Sequence, residues 1–104
     1  MSDITVDAIK RAVCHEFGIT MMDLISRRKP YRLSHPRMVA MFLARCLTQE
    51  KVEVLGLEFG GRDHSTVVSG MQRVIALMKT DPAFALRVTA LEARLRAPEM
   101  VEHF

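Results

Sequence analysis

Residues 52–78 read VEVLGLEFGGRDHSTVVSGMQRVIALM, and this stretch decides the fold. Apolar residues at helical spacing predict a short helix from about residue 51 to residue 59. The Gly60-Gly61 pair that follows permits the left-handed backbone of a tight turn. A longer amphipathic helix begins at Asp63, and its apolar positions are Val67, Met71, Val74, Ile75 and Met78. Two helices joined by a tight turn form a helix-turn-helix pattern.

Helical spacing also runs through the rest of the 104-residue chain, and no stretch alternates as a half-buried strand would. We therefore expect an all-α protein of about six helices. The length suits one domain, predicted over residues 1–97, with residues 98–104 forming a flexible C-terminal tail. The four other helices are predicted over about residues 6–17, 20–26, 35–48 and 82–97.

Capping residues mark the starts of several of these helices. Thr5 precedes the first helix, and Thr20 with Asp23 has the spacing of a capping box. Ser34 or His35 is expected to cap the third helix, with a proline in its first turn. The buried stripe of the third helix is predicted to be Val39, Phe42, Leu43, Cys46 and Leu47.

The net charge of +3 is distributed unevenly. Residues 24–49 contain six basic residues and no acidic residue, whereas the parts of the chain on either side each carry a small negative charge. A block of this kind is the electrostatic signature of a phosphate-binding surface. The six bases are Arg27, Arg28, Lys29, Arg32, Arg37 and Arg45.

The second helix of the helix-turn-helix opens with polar side chains that pack poorly in a core. They are Arg62, Asp63, His64, Ser65 and Thr66. In DNA-binding versions of the motif, residues at this place enter the major groove, where carboxylates and hydroxyls contact base edges. The free amides of the helix start also attract phosphate. The alternative is a structural role in which Asp63 or Ser65 is simply an N-cap.

Residues 60–68, GGRDHSTVV, resemble the signature GGRDHTTV of the C-terminal DNA-binding domain of the bacterial chromosomal replication initiator DnaA. Residues 23–48, DLISRRKPYRLSHPRMVAMFLARCLT, resemble the family's basic loop and the helix that follows it. The alignment runs without gaps from about Thr5 to Arg96. The resemblance implies a Trp-repressor-like, all-α architecture and sequence-specific binding of double-stranded DNA at DnaA-box-like sites.

The resemblance also implies a role for individual residues. Those aligned with the family's base readers in the major groove are Asp63, His64 and Ser65. Those on the basic loop, expected in or near the minor groove, are Arg28, Lys29 and Arg32. Those expected at phosphates are Arg27, Arg37, Arg45, Arg62 and Thr66.

The chain departs from the family pattern at four positions, which lie among the expected DNA-contacting residues or close to them in the sequence. Lys29 stands where the family places an arginine in the minor groove, and a lysine lacks the planar fork of that side chain. Ser65 keeps the hydroxyl of the usual threonine but loses the methyl group that can contact thymine. Tyr31 and Met38 stand where arginine and a polar residue are common. Altered site preference is therefore expected.

Catalytic and metal-binding functions are not expected. Asp63, His64 and Ser65 are the residue types of a hydrolase triad, but consecutive helical residues project about 100° apart and cannot form the required relay. The histidines lack metal-ligand spacing. Cys14 and Cys46 lie within helical apolar patterns and are predicted to be buried, reduced thiols. We expect no enzyme activity, no metal and no cofactor.

The leading hypothesis is a monomeric DNA-binding module that occupies sites at a replication origin or promoter and modulates replication initiation. The chain contains no G-x-x-x-x-G-K-[ST] motif, so neither nucleotide binding nor ATPase activity is expected. The alternatives are a helical protein-interaction module that binds the full-length initiator or a replication regulator, with Tyr31, Met38 and neighbouring methionines as its surface, and a transcriptional regulator. The N-terminal MSD suggests a free-standing domain, and the absence of a signal peptide or membrane segment suggests the cytoplasm, associated with the nucleoid.

Overall fold

The computed structural model describes residues 4–26 and 33–96 of the chain. Within these ranges all the regular secondary structure is helical, with no strand, which confirms the predicted fold class. The elements are α1 (Val6–Phe17), α2 (Met21–Ile25), α3 (Ser34–Leu47), α4 (Val52–Glu58), α5 (His64–Thr80) and α6 (Pro82–Arg96). The tail predicted over residues 98–104 lies outside the described residues.

Local capping sets the bounds of α1 and α2. The Thr5 hydroxyl accepts a hydrogen bond from the amide of Ala8 (3.1 Å), and α1 ends at Gly18 in the left-handed conformation. In α2, Thr20 and Asp23 form a reciprocal capping box, so that each side chain accepts from the other residue's amide. These contacts join residues three apart in the chain, which is why the sequence predicts them.

The start of α3 differs from the prediction. Ser34 is the first helical residue, and Leu33 occupies the N-cap position without a side-chain capping bond. Leu33 is almost completely buried, so core packing of its side chain sets the entry into α3. Pro36 stands in the first turn, where its missing amide leaves one fewer donor to satisfy.

The set of buried residues predicted for α3 is partly wrong. It leaves out residues that are buried near the N-terminal end of the helix, and it includes residues near the C-terminal end that are exposed or only partly buried. The helix packs against α1, α2, α4 and α5, which cover more than one of its faces. Met38 and Met41, suggested as an interaction surface, are therefore buried in the core, at 8% and 2% exposure. Cys46 is exposed, contrary to the prediction of a buried thiol, because it lies in the last turn of α3, beyond most of the buried residues. Phe42 and Leu47 are only partly buried.

The turn between α4 and α5 is organised around one carbonyl group. The carbonyl oxygen of Gly56 accepts hydrogen bonds from the amides of Phe59 (3.3 Å), Gly61 (3.0 Å) and Arg62 (2.9 Å). Gly60 and Gly61 both have positive φ, as the sequence predicts. A Cβ built on Gly56 would overlap the carbonyl oxygen of Arg62, so only glycine allows the turn to close this tightly.

One side of α5 is buried, and the opposite side is open. Val67 and Val74 are fully buried, and Gly70 lies against Met38 and Met41 of α3. Ile75 is 44% exposed, although the sequence pattern places it in the core. Since Ile75 follows Val74 directly, its side chain projects about 100° away from the buried stripe. The helix therefore presents a continuous face to solvent.

The remaining elements close the core beneath the helix-turn-helix. Asp81 caps α6 by accepting from the amide of Phe84 (3.1 Å), and the predicted inward residues Val88 and Leu91 are buried. Lys10 of α1 donates to the carboxylate of Glu58 at the end of α4 (2.8 Å). None of the helices in the described part of the chain is long and apolar enough to cross a bilayer.

Gly56→Ala is expected to destabilise the fold. An alanine in a helix interior usually stabilises by about 1 kcal/mol relative to glycine. Here the added Cβ would overlap the Arg62 carbonyl, and overpacking of this kind costs about 1–3 kcal/mol. The free energy of unfolding, measured in urea, should therefore fall.

Gly70→Ala is the matched control, because its Cβ would meet the flexible end of Met41 rather than backbone. It should change the free energy of unfolding by less than about 1 kcal/mol. Equal losses in the two variants would contradict the assigned role of the Gly56 turn.

Candidate nucleic-acid interface

The N-terminus of α5 is held by its own capping residue. The Oδ1 atom of Asp63 accepts from the amide of Thr66 (2.9 Å) and from the hydroxyl of Ser65 (3.2 Å). Hydrogen bonding from the Thr66 side chain is the largest cause that lowers the pKa of the exposed Asp63 carboxyl, followed by hydrogen bonds from the Thr66 amide and the Ser65 hydroxyl. The lowered pKa favours the ionised carboxylate, which stays exposed to solvent while it caps the helix. Asp63 can therefore cap the helix and still accept a hydrogen bond from a base.

The first turn of α5 presents three polar side chains to solvent. His64, Ser65 and Thr66 are all exposed, whereas Val67 is fully buried. The first-turn residues therefore belong to a helix whose other side is packed against the core. An exposed helix N-terminus of this length also offers amides and a positive dipole end to an anion.

The open face of α5 continues beyond its first turn. Counting from Ser65, residues spaced by three or four lie on one side of the helix, opposite the buried Val67 and Val74. They line a shallow open groove formed by Ser69, Gln72, Arg73, Ala76, Leu77 and Thr80. The residues predicted from the sequence end at Thr66, and Ser69, Gln72 and Arg73 continue the same exposed face, which helical spacing could also have identified.

Arg62 is half-buried beside the end of α2. Its Nη2 atom donates to the carbonyl oxygen of Ser26 (2.8 Å), which lies 36 residues earlier in the chain. The sequence predicts this side chain at a phosphate. Its guanidinium instead joins the turn before α5 to the residue at which α2 ends.

Arg37 does not fit the phosphate contact expected for it. The residue is 5% exposed, and its guanidinium donates to the carbonyl oxygens of Leu24 (3.2 Å, from Nε) and Asp23 (2.7 Å, from Nη2). Burial lowers the pKa of Arg37 below its ordinary value, and the positive charge of Arg62 lowers it further. Its place on α3 next to core residues makes Arg37 a structural residue, which is a correction to the expected role.

Arg45 is exposed in the last turn of α3. It lies one turn after Met41, whose side chain packs near Gly70 of α5. A basic residue in this place also favours the negative end of the helix dipole. The other basic-loop residues lie outside the described ranges, and they are Arg27, Arg28, Lys29 and Arg32, together with Tyr31.

The geometry does not assemble a hydrolase triad from Asp63, His64 and Ser65. The Ser65 hydroxyl donates to Asp63 and so belongs to the helix cap rather than to a relay through His64. Nor do the described residues contain three histidine, cysteine, aspartate or glutamate side chains grouped to hold a metal ion. The chemistry available at this surface is hydrogen bonding and charge.

Comparison with known proteins identifies the group to which this arrangement belongs. Residues 6–74 match the family model described as the bacterial dnaA protein helix-turn-helix. The chain belongs to the DnaA helix-turn-helix family. The match includes α1 to α4 and the first part of α5, and thus all the residues expected to contact DNA. This is a family of DNA-binding domains, as the resemblance implies.

Curated relatives carry the same domain within longer chains. The chain is 40% identical over 94 residues to the chromosomal replication initiator protein DnaA of Symbiobacterium thermophilum. It is 37% identical over 93 residues to the DnaA of Caulobacter sp. strain K31, and equally so to that of Treponema pallidum strain Nichols. These alignments include 89–90% of the present chain but only 19–20% of each relative. The chain thus spans about one fifth of the length of the relatives it matches.

The Asp63 cap predicts a specific pH dependence. Because folding lowers the pKa of Asp63, its contribution to stability is fully present above the ordinary aspartate pKa of about 4. The contribution is lost as the pH falls through the lower, folded-state value. In an NMR titration, the Thr66 amide resonance should move with a midpoint below the ordinary aspartate range.

Asp63→Asn is the control for this titration, since asparagine caps helices well but does not ionise. The Thr66 shift should disappear in that variant. A Thr66 midpoint at or above the ordinary aspartate value would contradict the assigned hydrogen bonds.

Proposed function

We propose that this domain binds double-stranded DNA sequence-specifically at DnaA-box-like sites. The observation that carries the proposal is the first turn of α5, where Asp63, His64 and Ser65 are exposed on a helix whose opposite side is buried. Side chains on such a rigid element can meet base edges in the major groove without a large ordering cost. Thr66, also exposed, would contact an adjacent phosphate.

The basic segment gives the second part of the proposed interface. Arg28, Lys29 and Arg32 would contact the adjacent minor groove, with Arg27 and Arg45 at phosphates. Positive charge near phosphates raises affinity through counterion release without reading sequence. Base contacts from α5 and charge contacts from the segment thus have separate tasks in the proposed complex.

The proposed biological role is modulation of replication initiation by occupation of initiator sites. The 104 residues contain no phosphate-binding loop motif, so the proposal includes no ATP hydrolysis and no duplex melting by this chain. Binding as a monomer to double-stranded DNA, near the nucleoid, is sufficient for such a role. Contact with the full-length initiator or with other replication regulators is compatible with it.

Of the alternatives, one is favoured by a specific residue. Ser65 lacks the methyl group of the threonine usual in the family, which removes a contact with thymine and supports an altered site preference, the property that the transcriptional-regulator alternative assumes. The protein-interaction module loses Met38 and Met41 from its expected surface, because both are buried against α5, and its remaining residue Tyr31 lies outside the described ranges. DNA binding therefore remains the better-supported function.

His64→Ala is expected to weaken binding to a DnaA-box duplex by about 1–3 kcal/mol, because a base contact is lost. Affinity for a scrambled duplex of the same length and composition should change little. Fluorescence anisotropy with labelled duplexes measures the dissociation constants for the DnaA-box duplex and for the scrambled duplex. His15→Ala, at an exposed position on α1, is the matched control and should leave both unchanged. Equal wild-type affinity for the two duplexes would overturn sequence-specific recognition.

Lys29→Ala is expected to weaken binding to both duplexes and to reduce the slope of log K against log salt concentration by about one. The physical reason is the loss of one counterion released on binding. Titrations at several salt concentrations measure the slope. Lys79→Ala, in the last turn of α5 far from its N-terminus, removes the same charge and should leave the slope unchanged. An unchanged slope in Lys29→Ala would show that the segment does not contact the phosphates.

A further inference from the structure

The C-terminal end of α2 is an unusual helix end. The helix has five residues, no basic residue in its last turn, and an extended Ser26 at its C-cap. The last carbonyl groups of any helix lack partners within that helix and must find donors elsewhere. Here guanidinium groups from two other elements supply the donors.

Arg37 and Arg62 divide these carbonyl groups between them. Arg37, on α3, donates to the carbonyl oxygens of Asp23 (2.7 Å) and Leu24 (3.2 Å). Arg62, in the turn before α5, donates to that of Ser26 (2.8 Å). A planar guanidinium can bridge neighbouring acceptors in a fixed direction, which a lysine ammonium cannot do as rigidly. We call this set of contacts the arginine clamp.

The same turn also touches α2 through its backbone. A Cβ built on Gly60 would overlap the carbonyl oxygen of Ile25, so the glycine turn and the end of α2 are in close contact. The turn before α5 and the end of α2 are therefore held together at two points, by Gly60 and by Arg62. Moving one without the other would break the Ser26 hydrogen bond.

The position of the clamp in the chain gives it functional meaning. Ser26, which Arg62 holds, is the last residue before segment 27–32, and the almost fully buried Leu33 follows that segment. The segment contains four of the six bases of the basic block. Of the residues on either side of the segment, Leu33 is thus buried, and Ser26 is hydrogen-bonded directly to the turn before α5.

We propose that Arg62, with Arg37 beside it, is a positioning residue for DNA recognition: the clamp fixes the start of the basic segment relative to the first turn of α5. The inference rests on the proposed function, in which both parts contact the same duplex. Arg62 then contributes to binding through geometry rather than as one more phosphate contact. Without the clamp, the segment and α5 would still carry their charges and side chains but would engage DNA independently.

A double-mutant cycle in DNA binding separates the two roles of Arg62. Anisotropy titrations with the DnaA-box duplex and the scrambled duplex would compare wild type, Arg62→Ala, Lys29→Ala and the double variant. If the clamp positions the segment, Lys29→Ala should cost several-fold less affinity when Arg62 is already alanine. The reason is that Ser26, just before the segment, has then lost its hydrogen bond to the turn before α5. Arg62→Ala should also lower affinity for the DnaA-box duplex more than for the scrambled duplex.

A simple phosphate contact by Arg62 predicts the opposite pattern. Its loss would weaken binding to both duplexes equally. The loss of affinity caused by Lys29→Ala would then be the same with Arg62 or with alanine at that position. Arg73→Ala is the matched control, because it removes an exposed arginine of α5 that makes no contact with Ser26. Its effect should be additive with that of Lys29→Ala. Additivity of Arg62→Ala with Lys29→Ala overturns the inference.

A measurement without DNA tests the clamp in the free protein. The ¹⁵N–¹H heteronuclear NOE at Ser26 should fall in Arg62→Ala and recover in part in Arg62→Lys, which retains a donor. Thermal unfolding identifies the temperature at which every variant is folded, and all binding data are taken below it. An unchanged Ser26 NOE in Arg62→Ala overturns the clamp even where the wild type discriminates between the duplexes. A wild type that binds neither duplex overturns the proposed function, and the positioning role with it.

Discussion

The carbonyl oxygen of Gly56 accepts three backbone amides, from Phe59, Gly61 and Arg62, and this small hydrogen-bonding centre sets the angle between α4 and α5. The backbone of Arg62 can approach only because Gly56 has no Cβ. Once the turn is closed, Val67 and Val74 bury one side of α5 against the core. The opposite side, with its polar first turn, then faces solvent as a necessary consequence.

The first turn of α5 shows how one residue can serve folding and recognition together. Asp63 uses one carboxylate oxygen to cap the helix, and the hydrogen bonds it accepts keep the group ionised. Capping and the proposed base reading are therefore compatible at this position, since the capping carboxylate stays exposed at the start of the helix. The two explanations of Asp63 that the sequence leaves open are compatible in the folded protein.

The arginines of this chain illustrate the limit of reading charge from sequence. Six bases without an acid indicate a phosphate-binding block, and membership of a DNA-binding family agrees with that interpretation. Yet Arg37, one of the six, is buried and bonded to carbonyl oxygens of α2, as is the half-buried Arg62 outside the block. A guanidinium satisfies helix carbonyls as well as phosphate oxygens, because both are hydrogen-bond acceptors. The choice depends on which acceptors lie nearby.

The helices, most of their caps and the tight glycine turn follow from the sequence alone. Thr5, Thr20 with Asp23, Gly18 and Asp81 act on residues three to five positions away, so their effect can be read along the chain. The sequence also identified the family and the polar first turn of α5. Helical periodicity found much of the core, but the packing of the helices decided the remaining cases: Met38 and Met41 lie under Gly70, whereas Cys46 and Ile75 are exposed. This packing also paired Arg62 with Ser26, because such contacts join residues far apart in sequence whose proximity depends on how whole helices pack.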